Sequence, residues 1–107
     1  TTKLIAIFQP HRYSRDKFLF DRFEGVFDLA DEIMLLPTYA AGEKDEFGIS
    51  MQDLAEKIRP GKVKLVHNSD EILDKIKEKN EAGMYLFMGA GDISGMAHNI
   101  AKVLEKR

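Results

Sequence analysis

The chain has 107 residues, 44% of them hydrophobic and 32% charged, the balance of a single soluble globular domain with one core. Its net charge of −2, with both signs interspersed, recommends no nucleic-acid face, and the absence of cysteine excludes disulfides and thiolate metal sites and fits a reducing cytoplasm. No apolar run reaches the roughly 18 residues that span a bilayer, and the start at Thr1, with neither methionine nor a signal-like segment, reads as an excised piece of a longer protein.

Lys3 to Phe8 carries the Leu-Ile-Ala-Ile-Phe run of a strand buried on both faces, as in parallel sheets, and Pro10 ends its ladder. Phe8 to Arg15, reading Phe-Gln-Pro-His-Arg-Tyr-Ser-Arg, turns that strand into a helix that Ser14 is placed to cap. Arg12 and Arg15 are three apart, so in a forming first turn they point the same way, beside backbone N–H groups that lack helical partners. That is an anion site in outline; a basic, solvated connecting loop is the plain alternative. Asp16 to Ala30 then puts Leu19, Phe23, Val26, Phe27 and Ala30 on one helical stripe, widened by Phe18 and Phe20.

Glu32 to Leu36 reads as a second buried strand, closed by Pro37. Thr38 to Ile49, with Gly42, Glu43, Asp45, Glu46 and Gly48, has no periodicity, and a loop of about a dozen residues in so small a domain is more often functional than filler. Ser50 and Asp53 resemble a capping box for a short helix through Leu54, Ala55 and Ile58, which Pro60-Gly61 ends. Val63 to His67 is the third predicted strand. Asn68 to Glu71 repeats the capping pattern ahead of a helix bearing Ile72, Leu73 and Ile76, and Met84 to Met88 is the fourth strand. Gly89-Ala90-Gly91-Asp92 leads into a last helix with Ile93, Met96, Ala97, Ile100 and Leu104 on its stripe. The alternation predicts an α/β, three-layer Rossmann-like domain spanning residues 1–107, a four-stranded parallel sheet in the order 3-2-1-4 with helices on both faces, which puts Arg12 beside Gly89 at the switch point between strands 1 and 4.

Catalytic machinery does not assemble from these motifs. The third glycine of Gly89 to Gly95 falls one residue late for a dinucleotide fingerprint, and there is no phosphate loop of the Gly-x-x-x-x-Gly-Lys-Ser/Thr kind. His11, His67 and His98 are scattered, without the spacing of a metal site.

Gln9 to Arg15, Tyr39-Ala40-Ala41-Gly42-Glu43 and Met88-Gly89-Ala90-Gly91-Asp92-Ile93 together resemble, in the same order, the C-terminal domain of the Mur ligases of peptidoglycan synthesis, in the branch that adds L-alanine to UDP-N-acetylmuramate. The resemblance implies a cytoplasmic, ATP-dependent ligase. In it, ATP and Mg2+, bound mainly by an absent central domain, turn the substrate carboxylate into an acyl phosphate that the amine of L-alanine attacks. It also implies that Arg12 and Arg15 contact the alanine carboxylate, that His11 lines the same pocket, and that Tyr39, Gly42, Glu43, Gly89, Gly91 and Asp92 shape the cleft. A guanidinium fork matches a carboxylate bidentately, which agrees. No catalytic residue, metal site, cofactor or activity is expected within the fragment itself, and no nucleic-acid or membrane partner.

An Asp-Asp-Tyr-Gly-His-His-Pro type segment, with its strand and helix, would precede Lys3 in the family and is not in this chain, so the site is expected to be partial. Its loss would leave Met84 to Met88 as an unblunted edge, expected to pair with a second copy in a homodimer. The alternative to a ligase domain is a freestanding flavodoxin-like or half-Rossmann module that binds a small anion at the same corner.

Overall fold

A computed structural model describes residues 3–25, 27–79 and 83–89; Val26 and the predicted last helix, with Gly91, Asp92 and His98, lie outside the described residues. Four strands, β1 (Lys3–Gln9), β2 (Glu32–Leu35), β3 (Val63–Leu65) and β4 (Gly83–Gly89), form one sheet in the order β3-β2-β1-β4. Every ladder is parallel, as the alternation of elements predicts. The register sets Gln9 beside Gly89 at the carboxyl end of the β1/β4 pair and Phe8 beside Leu35 on the other side.

Burial explains why β1 is central. Ile5, Ala6 and Ile7 are consecutive and all buried, which requires cover on both faces. On one face Ile5 and Ile7 join Met34, Leu36 and Val66 under Ile72 and Ile76 of α3 (Ser69–Lys79). On the other, Ala6, Ile33 and Leu35 meet Phe23 together with Leu54, Ala55 and Ile58 of α2 (Met51–Ile58). Helices thus cover both faces, and each fully buried aliphatic side chain contributes about 1.5–3 kcal/mol.

Local signals act where expected at α2. Ser50 Oγ accepts from Asp53 N–H at 3.0 Å and Asp53 Oδ2 accepts from Ser50 N–H at 2.9 Å, a complete capping box. At α3, Asn68 Oδ1 accepts from Glu71 N–H at 2.9 Å, while the Glu71 carboxylate turns back to His67, taking its N–H and lying 3.2 Å from Nδ1.

The segment after β1 departs from the expected long helix. It is α1 (Tyr13–Leu19) followed by a 3₁₀ turn (Phe20–Phe23), and Gly25, at φ +69°, then turns the chain out of helical geometry. Arg59 holds the stretch leading into β2, donating from Nη2 to Phe27 O at 2.7 Å and from Nη1 to Ala30 O at 3.1 Å. The stripe breaks with the helix: Phe23 and Ala30 are buried, Phe20 and Phe27 are half-buried, and Phe18 is 88% exposed.

Candidate functional site: the corner beyond β1 and β4

The β1–β2 ladder does not stop at Pro10. Tyr39 N–H donates to Pro10 O at 2.8 Å and Arg12 N–H donates to Tyr39 O at 2.7 Å, so a parallel bridge joins His11 to Tyr39. Their rings stack with centroids 5.7 Å apart. The basic corner after β1 and the long loop after β2 are therefore one structure. Arg12 adopts φ +69° at the start of α1, a conformation that side chains rarely take and that costs about 1–3 kcal/mol. The strain is held by those two backbone bonds.

Ser14 does not cap α1; Arg12 stands at that position and makes no side-chain cap. Ser14 lies inside the first turn, where its N–H and hydroxyl both need an acceptor, and Glu43 supplies one from the loop. Glu43 Oε1 accepts from Ser14 N–H at 3.1 Å and Oε2 accepts from Ser14 Oγ at 2.7 Å. The Ser14 hydroxyl, then its N–H, and the nearby Arg12 guanidinium hold the Glu43 carboxyl below its ordinary pKa. The helix start that the sequence left open to an external anion is thus engaged by this chain's own carboxylate.

Below this corner, a hollow of about 270 Å³ is lined by Phe8, Gln9, Pro10, His11, Arg15, Asp16, Phe23 and Gly89. It brings His11, Arg15 and Gly89 together at the carboxyl ends of two neighbouring strands. Arg12, expected beside Gly89, is exposed and does not line the hollow; Tyr39 and Glu43 flank it through their bonds to the corner, and Gly42 is exposed at φ +87° in the loop. A larger hollow, about 440 Å³, lies over Leu4, Ala6, Phe27, Leu86 and Met88, but its lining is almost wholly apolar.

Asp16 is the residue that sequence reading placed only as the start of a helix. It is 2% exposed, with Oδ2 accepting from Thr38 Oγ1 at 2.6 Å. Burial raises its pKa, the Thr38 bond pulls the other way, and the Asp45 and Glu43 carboxylates add to the rise. Its position at the fourth residue of the α1 turn, facing back toward β1, was the available signal.

Among the described residues no group of three or more His, Cys, Asp or Glu is arranged to hold a metal ion, and no helix is long and apolar enough to cross a membrane. The described residues also contain no phosphate loop of the Gly-x-x-x-x-Gly-Lys-Ser/Thr kind.

An open parallel sheet whose chain reverses direction between β1 and β4, with polar groups gathered beyond those strand ends, defines the class of Rossmann-like α/β domains that bind ligands at a topological switch point. Comparison narrows the class. The chain is 49% identical over 105 residues to the UDP-N-acetylmuramate–L-alanine ligase of Fusobacterium nucleatum, an alignment covering 98% of this chain and 22% of that protein. It is 36% identical over 99 residues to the ligase of the same name from a Hydrogenobaculum species, covering 92% of this chain and 22% of the relative. The Rickettsia felis ligase of that name is 41% identical over 110 residues, covering 98% and 23%. No protein-family model matches the chain. The chain matches a C-terminal fragment of a Mur ligase and spans about a fifth of the length of the curated relatives it matches.

Proposed function

We propose that residues 1–107 are the amino-acid-presenting C-terminal domain of a cytoplasmic, ATP-dependent ligase that joins L-alanine to UDP-N-acetylmuramate in peptidoglycan synthesis. The observation that carries this reading is the hollow at the β1/β4 switch point, with Arg15 and His11 in its wall and Arg12 at the same corner, in a chain 49% identical to such a ligase. The relatives are several times longer than this chain, which favours a part of a ligase over a freestanding anion-binding module.

In the whole enzyme, ATP with Mg2+, bound mainly by other domains, supplies the activated acyl phosphate. The part of this chain is binding and orientation. Arg15 and Arg12 take the carboxylate of alanine, His11 and the Tyr39 ring beside it close one wall, and the amino group is left to face the reacting carbon. Holding the nucleophile in place removes entropy from the barrier, and a guanidinium does so without competing as a nucleophile. The isolated chain has no ATPase or ligase activity on this reading.

The test is kinetic. In the full-length enzyme, Arg12→Ala or Arg15→Ala should raise the KM for L-alanine about ten- to a hundredfold, the effect of losing one charge-assisted bond, with little change in that for ATP. Equal effects on both substrates, or turnover by the 107-residue chain alone, would overturn the assignment.

A further inference from the structure

Arg12 occupies the position just before the first helical residue of α1, where a serine, threonine, aspartate or asparagine ordinarily accepts from the first turn. Its side chain makes no such cap, and its backbone stands at φ +69°, a conformation that residues other than glycine rarely adopt. A helix start shaped for its own stability would not be built this way. The local cap is forgone and an arginine is held under strain in its place, the pattern of a backbone fixed for the group it carries.

The acceptor that Arg12 does not provide comes from Glu43. Both of its oxygens are taken by Ser14, just beyond Arg12 in the same turn: Oε1 by the N–H at 3.1 Å and Oε2 by the hydroxyl at 2.7 Å. Among the described residues no ion pair joins Glu43 to Arg12, so the carboxylate restrains the turn without neutralising the guanidinium by contact. Glu43 is itself fixed. Its N–H donates to Ala40 O at 3.0 Å, across a turn in which Ala41 and Gly42 are both left-handed, at φ +52° and +87°. On the other side of Arg12, Tyr39 N–H donates to Pro10 O at 2.8 Å, and Tyr39 O accepts from the N–H of Arg12 itself at 2.7 Å. One loop therefore clamps the strained residue from both sides, and the clamp that follows it is a side chain, Glu43.

We propose that Glu43 is a positioning residue for amino-acid binding: acting through Ser14, it fixes the backbone on which Arg12 meets the carboxylate of the ligand. This rests on the amino-acid-presenting role proposed above and adds a residue that itself touches no ligand. Without Glu43 the first turn is held on one side only, and the strained backbone of Arg12 can relax. A binding group displaced by about 1 Å can lose up to about a hundredfold of its effect. Only the carboxylate end of the amino acid is fixed in this way, so its amine still faces the reacting carbon.

The experiment is a double-mutant cycle on the full-length enzyme, with KM measured for L-alanine and for ATP. Glu43→Gln keeps the length of the side chain but replaces one of the two acceptor oxygens by a donor. It should raise KM for L-alanine about three- to tenfold and leave that for ATP within about twofold, the retained ATP value showing that the variant is folded. In an Arg12→Ala background the same substitution should change KM for L-alanine by less than about twofold, because no guanidinium is left to position. A purely structural role would weaken both substrates, or would act on L-alanine as strongly without Arg12 as with it. Either result, or no effect of Glu43→Gln on L-alanine, would overturn the positioning role while the amino-acid reading stands on Arg12→Ala and Arg15→Ala. If neither arginine variant raises KM for L-alanine, that reading falls, and the positioning role with it.

Discussion

Ser14 and Glu43 lie 29 residues apart, yet both oxygens of the Glu43 carboxylate are engaged by one residue, at 3.1 Å from the Ser14 N–H and 2.7 Å from its hydroxyl. This pair ties the loop after β2 to the first turn of α1, next to the strained Arg12. The loop is thereby fixed beside the corner that His11 and Arg15 occupy.

The pH dependence of this tie has a definite sign. Glu43 has a folded-state pKa below its ordinary 4.5, so its contribution is fully present above that value and is lost as pH falls through the lowered one. Urea unfolding of the wild type and of Glu43→Gln should differ by a constant amount at neutral pH and converge in acid. The Ser14 amide should exchange its hydrogen faster in the variant at neutral pH. A difference that persists unchanged at low pH would mean that the Glu43 carboxylate charge is irrelevant to the tie.

Asp16 behaves in the opposite sense. Its folded pKa is raised above the ordinary 3.8, so between that value and the raised one the fold binds more protons than the unfolded chain and loses stability as pH rises. Asp16→Asn removes the buried charge and keeps an acceptor for Thr38. Its melting temperature at neutral pH should equal or exceed that of the wild type, a gain of 1 kcal/mol being worth about 4–8 °C in a domain of this size.

Gly89 closes the site from the β4 side. It sits at φ +135°, and a Cβ there would lie 2.2 Å from Gln9 O, which is rigid backbone in the central strand. Gly89→Ala should therefore cost at least about 2–3 kcal/mol and part β4 from β1 at their carboxyl ends. Chemical denaturation measures the first, and amide exchange along the two strands the second.

The outer edge of β4 is unpaired among the described residues, with Met84 62% and Leu86 45% exposed and no charge or proline from Gly83 to Gly89. The apolar hollow over Leu4, Ala6, Leu86 and Met88 adjoins it. The isolated chain should self-associate through this edge as a two-fold dimer with the strands antiparallel. Size-exclusion chromatography with light scattering should show a dimer that Leu86→Lys returns to monomer. A wild-type monomer at high concentration would show that the edge is blunted by other means.

What could be read directly were features whose causes are local or periodic. Continuous apolar runs marked β1 and β2, whose covered faces leave no polar side, and β4, whose side chains are half-buried or exposed; the Ser50–Asp53 box marked α2 because its two bonds lie within one turn. The order, with β4 beside β1, followed from the sequence, since right-handed crossovers leave few arrangements, but it was expected to bring Arg12 beside Gly89, and Gln9 takes that place. The three motifs carried the resemblance to the Mur ligases through their wording and order, and relatives named UDP-N-acetylmuramate–L-alanine ligase match the chain over almost its whole length. Other features depended on groups far apart in the chain. The helical stripe from Asp16 to Ala30 assumed one unbroken helix, but α1 gives way to a 3₁₀ turn after Leu19 and Gly25 turns the chain at φ +69°, while Phe18 lies exposed on α1. Ser14 reads as a cap by residue type, yet its partner is Glu43, brought by the bridge between His11 and Tyr39. Asp16 looks like an ordinary first-turn acid; only the meeting of α1 with the loop after β2 buries it and gives it Thr38. Backbone pattern is encoded residue by residue, whereas desolvation and the pairing of buried polar groups exist only once distant segments meet.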